Sequence, residues 1–207
     1  MTTQEFLSNF WDYYLILEEK FEKSTRYVQL SSDNYATYSI EFVNQIQTIC
    51  SEVDVVMKIM SGLEEKERCT IKDYAEIILK KYREIVEWEI VAKGIRCKPF
   101  EGWETNNASK SLPWWNAYNN VKHNRNINLK EANLKNVLHS LMGLYLLEMM
   151  YFKKLADEEN VIDTPKKRSI LFTIKDWKRN RFWGDEIEIE KIGELVNVDG
   201  GTVSGNK

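Results

Sequence analysis

The stretch Leu141–Phe152 reads LMGLYLLEMMYF. It carries one charge, Glu148, and falls short of the roughly 20 apolar residues that cross a bilayer. It continues a helical pattern that begins upstream, with Leu134, Val137, Leu138, Leu141, Tyr145 and Phe152 on one face. The spacing predicts one long helix over 129–157. Its second half is apolar nearly all round, so it must be buried on two sides. The chain is therefore expected to be a helical bundle assembled around its last helix.

Working outward, residues 3–23 read as a helix capped by Thr3, with Phe6, Phe10, Tyr14, Leu17 and Phe21 at helical spacing. The run SSDN at 31–34 breaks the pattern. A long second helix over 35–61 follows, its stripe running from Phe42 to Met60, with Gly62 in the C′ place. Thr70 and Asp73 approximate a capping box for a third helix. Near Glu84 the period drops to two. Val86, Trp88 and Ile90 alternate with glutamates, Lys93-Gly94 makes a turn, and Ile95 and Cys97 alternate with Arg96 and Lys98. That pattern predicts a β-hairpin at about 85–100. Residues 101–112 read as a loop. Pro113 suits the first turn of a short helix, with Ser111 as its cap. Beyond Pro165, Ile170, Phe172 and Ile174, then Ile187 and Ile189, suggest two short strands before a disordered tail. The fold expected is mainly α: an up-and-down helical bundle over 1–160 with an inserted hairpin, and a C-terminal extension over 161–207.

The bulk numbers fit that reading. The chain has 207 residues, 43% hydrophobic and 29% charged, which is ordinary for a globular protein. A net charge of -3 excludes duplex binding by bulk charge and leaves room for a local basic patch. Cys50, Cys69 and Cys97 make an odd count without C-x-x-C spacing, which favours a reducing, cytoplasmic setting. The N-terminus lacks a basic region followed by an apolar run, so it is not read as a signal peptide, and no membrane association is expected.

The densest chemistry lies in Trp114–Asn126, WWNAYNNVKHNRN, which holds one of the two histidines. Helical spacing puts Asn119, Lys122, His123 and Asn126 on one face. An acid–base group beside cationic and amide donors is what RNA phosphodiester cleavage needs. A base activates the 2′-hydroxyl, donors stabilise the phosphoryl oxygens, and neither metal nor cofactor is required. The competing reading is a solvated helix end whose basic side chains complement the helix dipole. No Cys/His pair stands at zinc-ligand spacing. Trp114 and Trp115 read as packing or as stacking platforms for bases. Downstream, IKDWKRNRFW interleaves Lys178 and Arg179 with aromatic residues, a pattern that suits RNA contact or an amphipathic hairpin. Glu148 lies within the apolar face of the last helix and Glu52 flanks the stripe of the second. A buried carboxylate there needs a salt bridge or hydrogen bond within the bundle, or serves to orient His123 or Arg125.

A long second helix, and a polar histidine motif just ahead of the last long helix, resemble the HEPN superfamily. These all-α domains occur in toxin–antitoxin, abortive-infection and CRISPR-associated proteins. The family's ribonuclease motif is an arginine, four to six residues, then a histidine, often with a polar residue straight after the arginine. Here Asn119 matches the polar position and His123 the histidine, while Tyr118 stands at the arginine position of the shortest form. The resemblance implies a metal-independent ribonuclease or RNA-binding effector, with His123 as acid–base, Asn119, Lys122 and Arg125 at phosphate, and Tyr118 in the arginine's place toward substrate, while the aromatic and basic pattern adds Trp115, Lys178 and Arg179 as substrate-contact candidates. It equally admits a catalytically inactive interaction module. It implies a homodimer, as does the apolar girth of the last helix, and an RNA or antitoxin partner.

Overall fold

The computed structural model describes residues 1–162 and 164–177. The chain is mainly helical, with a small three-stranded antiparallel sheet. The elements are α1 (Thr3–Phe6), a π-helical turn (Leu7–Trp11), α2 (Asp12–Ser24), α3 (Ile40–Ser61), α4 (Ile71–Lys81), α5 (Pro113–Asn128) and α6 (Leu134–Glu159), with strands β1 (Ile90–Ala92), β2 (Ile95–Cys97) and β3 (Thr173–Ile174).

Helix α6 is the axis of the molecule. It starts at Leu134 rather than 129, because Leu129–Glu131 forms a 3₁₀ turn and Asn133 caps the helix by accepting from the Asn136 N–H. Every residue from Ser140 to Phe152 is buried. Helices α3 and α6 run parallel, their N-terminal ends joined where the Leu134 and Lys135 N–H groups donate to the Thr37 and Tyr35 carbonyls. Helices α1 and α2 run antiparallel to α6. Thr3 is bonded to Glu159, the Phe6 ring packs on Phe152, and Trp11 and Tyr14 pack on Tyr145. Helix α5 returns antiparallel as well and lays the Trp114 indole against Gly143. A Cβ at Gly143 would meet Trp114 Cζ2 at 3.1 Å, which explains a glycine in the middle of a long helix. Direction thus alternates through α2, α3, α5 and α6. The apolar girth of α6 is covered within the single chain, so it gives no ground for the expected homodimer.

Several boundaries differ from expectation for local reasons. Thr2, not Thr3, caps α1, in a capping box with Glu5. Thr70 and Asp73 form the capping box of α4. The second helix begins at Ile40, capped by Ser39, because Ser32–Asn34 coils into a 3₁₀ turn. The hairpin is shorter than 85–100. Arg83–Val86 is a 3₁₀ turn, and pairing is confined to Ile90↔Cys97, Val91↔Arg96 and Ala92↔Ile95. Lys93 and Gly94 both take positive φ, the tight turn that a two-residue hairpin needs.

The described part of the C-terminal extension, up to Trp177, packs on the rest of the chain. β3 adds to the free edge of β1, giving the order β2-β1-β3. The preceding segment straps across α2. There the buried Glu18 carboxylate accepts from the Tyr14 and Ser169 hydroxyls and from the Ile170 and Leu171 N–H groups, and Trp11 Nε1 donates to the Lys167 carbonyl. Four donors satisfy a carboxylate that would otherwise be costly to bury. The expected strand at Ile187 and Ile189, the tail, and Lys178 and Arg179 lie outside the described residues. Among the described residues no helix is long and apolar enough to cross a membrane.

Candidate functional site

Helix α5 places the histidine motif. Pro113 occupies its first turn, but Leu112 precedes the helix without a side-chain cap. Ser111 instead closes the loop, its hydroxyl accepting from the Glu104 N–H and donating to the Ala108 carbonyl. Trp114 is buried and donates from Nε1 to the Pro99 carbonyl at 2.7 Å. Trp115 is 5% exposed and Tyr118 6% exposed, their rings packed on each other in the core. Both rings are largely covered by the bundle, whereas base stacking, the role expected of Trp115, needs an open face. Small spacing differences decide this. Trp114, Trp115, Tyr118 and Val121 fall on the inner face of the helix, and Lys122 and His123 on the outer one.

The helix breaks immediately after His123. Asn124 takes φ -149° and ψ 59°, outside helical geometry. Asn126 therefore does not continue the face of Asn119, Lys122 and His123, as an unbroken helix would have it. Neighbouring amides stabilise the kink. Asn120 Nδ2 donates to both Glu131 carboxylate oxygens, at 3.2 and 3.0 Å, Asn128 Nδ2 donates to the Asn120 carbonyl, and Asn136 Nδ2 to the Glu131 carbonyl. Asn119 faces Ser109, with Nδ2 3.4 Å from its hydroxyl. Of the five asparagines in the motif, Asn120 is the one that takes part in the bonds at the bend.

The bend lines an open cleft of about 670 Å³. Lys122, His123, Asn124, Arg125 and Asn126 form one wall, all exposed, with Ile40 and Gln47 of α3 opposite. Lys122 Nζ sits 5.2 Å from the centroid of the Tyr118 ring. The residue at the family's arginine position thus supports a cation one helical turn further on. The half-buried Asp54 of α3 lies within the field of Lys122. Burial raises its carboxyl, opposed by a hydrogen bond with Tyr74 and by Lys122 and Lys58. No carboxylate among the described residues forms a salt bridge with Lys122, His123 or Arg125. Ile40 and Gln47 went unnoticed in the sequence. The only signal for Ile40 is an apolar residue placed at the first turn of α3, on its outer side.

Glu148 makes neither of the contacts expected of it. It is fully buried, and among the described residues neither carboxylate oxygen has a hydrogen-bond partner. It therefore orients neither His123 nor Arg125, and it belongs to no salt bridge. Burial, with the Glu52 carboxylate nearby, pushes its carboxyl well above the usual range, and burial raises Glu52 as well. The other histidine, His139, packs edge-on to Tyr35 and is pushed down to about 4 by burial and by Lys135. It is a half-buried residue, neutral at physiological pH. Among the described residues no group of His, Cys, Asp and Glu is placed to hold a metal ion.

No known protein family, curated protein or solved structure matches this chain. The HEPN resemblance therefore rests on the sequence pattern alone.

Proposed function

We propose that the α5 kink is an RNA site, and that the protein is a metal-independent RNA endonuclease of the HEPN-like effector kind. One observation carries this reading. The bend brings an exposed imidazole and two cations, without salt-bridge partners among the described residues, into one open cleft large enough for a nucleotide. In the reaction, His123 accepts the proton of a 2′-hydroxyl as its oxygen attacks the adjacent phosphorus. The 5′-oxygen leaves and takes a proton from water, which reaches the open cleft. Lys122 and Arg125 offset the charge that builds on the phosphoryl oxygens. The products are a 2′,3′-cyclic phosphate and a 5′-hydroxyl. An effector role in defence or stress, restrained by an antitoxin-like partner, follows from the resemblance.

The second reading is a module of the same fold that binds RNA or a protein without cleaving. The observation favouring it is Tyr118, whose buried ring occupies the place of the family's arginine. Incubating the protein with labelled RNA in chelator separates the two. Cleavage that leaves cyclic phosphate ends supports the first. Salt-sensitive retention of intact RNA that Lys122→Ala and Arg125→Ala weaken supports the second.

A further inference from the structure

The two sides of the cleft at the α5 kink differ in chemistry. Lys122, His123 and Arg125 on α5 suit a phosphate and the hydroxyl beside it. The α3 side, Ile40 and Gln47, is uncharged. These two residues are about two helical turns, or about 10 Å, apart along α3, so both face the cleft but meet different groups of a bound strand. Ile40 is 60% exposed. Gln47 is half-buried, and its carboxamide has no hydrogen-bond partner among the described residues, yet its atoms are open to solvent. Gln45 on the same helix shows the contrast. Its amide donates to the Ser24 hydroxyl at 2.7 Å and to the Glu41 carboxylate at 3.0 Å, and is a fixed part of the bundle. Gln47 thus holds a donor and an acceptor side by side at the cleft, with neither committed to another described residue.

We propose that Gln47 reads a base of the bound RNA, and that the base it favours is adenine. The proposal rests on the RNA reading of the α5 kink and adds a specificity-determining residue to it. With the phosphate drawn to Lys122 and Arg125, the neighbouring bases fall toward the uncharged side. Single-stranded RNA leaves both the Watson–Crick and the Hoogsteen edges of its bases open. A carboxamide matches a donor next to an acceptor. Adenine offers that pair on both edges, N6 with N7 and N6 with N1. Away from their Watson–Crick edges, guanine presents two acceptors, cytosine a lone donor and uracil a lone acceptor. Adenine is therefore the base that Gln47 can hold by two bonds on either edge. Ile40 gives an apolar contact to the next base, whatever its identity. Asn124 and Asn126 also line the cleft, but on its exposed cationic side, where water competes for their amides.

The test is equilibrium binding of short single-stranded RNAs, oligo-A, oligo-U and oligo-C, to the full chain carrying His123→Ala, in chelator at one fixed salt concentration. The histidine change removes the acid–base group and leaves the α3 side untouched. Oligo-A should bind about tenfold more tightly than oligo-U or oligo-C. Adding Gln47→Met, which keeps the length of the side chain and removes both polar atoms, should erase this preference, with the loss falling mainly on oligo-A. Equal affinity for the three RNAs, or an oligo-A preference that survives Gln47→Met, would overturn the adenine reading and leave the RNA site standing. An equal weakening of all three RNAs with a lowered melting temperature would make Gln47 a structural residue and overturn it too. No RNA binding, or binding indifferent to Lys122→Ala and Arg125→Ala, would overturn the RNA site itself and this inference with it.

Discussion

Lys122 lies over the ring of Tyr118, with its ammonium 5.2 Å from the ring centroid and the ring itself buried between Trp115 and the core. The two residues are one turn apart on α5, and each decides what the other can do. The ring keeps the ammonium at the cleft wall, and the ammonium closes the outer surface of the ring.

Tyr118→Arg therefore should not awaken a dormant nuclease, although it restores the family pattern. An arginine at a position 6% exposed, beside Trp115, would have a charge buried without a partner. A loss of about 3 kcal/mol or more is expected in urea unfolding. A variant as stable as wild type would show that the position opens readily to solvent.

Glu148 predicts how stability depends on pH. Its carboxyl keeps its proton in the folded chain well above the ordinary value of 4.5, whereas the unfolded chain releases it near that value. Folded-state stability is therefore lost progressively as pH rises above 4.5, until the folded carboxyl itself ionises. Glu148→Gln lacks this loss. Its unfolding midpoint should match wild type at about pH 4 and exceed it increasingly toward about pH 8. A variant less stable than wild type across that range would mean that the carboxylate has a partner.

His139 works in the opposite direction. Its folded value of about 4 lies below the ordinary 6.5, so stability falls as pH drops from 6.5 toward 4. His139→Gln should flatten this acid limb. Melting curves taken across the interval measure it directly, and an unchanged limb would place the acid sensitivity on other groups.

Gly143 sets the approach of α5 to α6. Gly143→Val puts branched carbon where Trp114 already stands at 3.1 Å from an ideal Cβ, and it should cost about 1–3 kcal/mol. The same denaturant measurement checks it. A neutral outcome would mean that the indole, although bonded to Pro99, can shift.

These positions also show what could be read from sequence. Periodicity found the helices, because a buried face repeats at 3.6 residues wherever a bundle packs, and Lys93-Gly94 marked the hairpin, because its turn needs positive φ. The kink at Asn124 could not be seen. It depends on Asn120 reaching Glu131 across the turn to α6, a contact between residues 11 apart. Trp115 and Tyr118 admit a ligand and a core reading, since residue type does not say which face of a helix points inward. The dimer expectation drew on the same ambiguity. The girth of α6 is apolar, and within the single chain the strap covers part of it, with Phe172 packed on Tyr145. Glu18, the most heavily bonded carboxylate in the described residues, carried no sequence signal, because three of its four donors, Ser169, Ile170 and Leu171, lie 151 to 153 residues further along the chain.

The central claim is that His123 moves the proton in RNA cleavage at the α5 kink. The most direct measurement is the single-turnover rate of cleavage of an end-labelled RNA in chelator, wild type against His123→Ala, with both proteins shown to melt at the same temperature. Wild type should cleave without added metal. The variant should lose roughly a hundredfold to ten-thousandfold in rate, as expected for a lost general acid–base group. A wild-type protein that leaves single-stranded and structured RNA intact, or a variant that cleaves as fast as wild type, would contradict it.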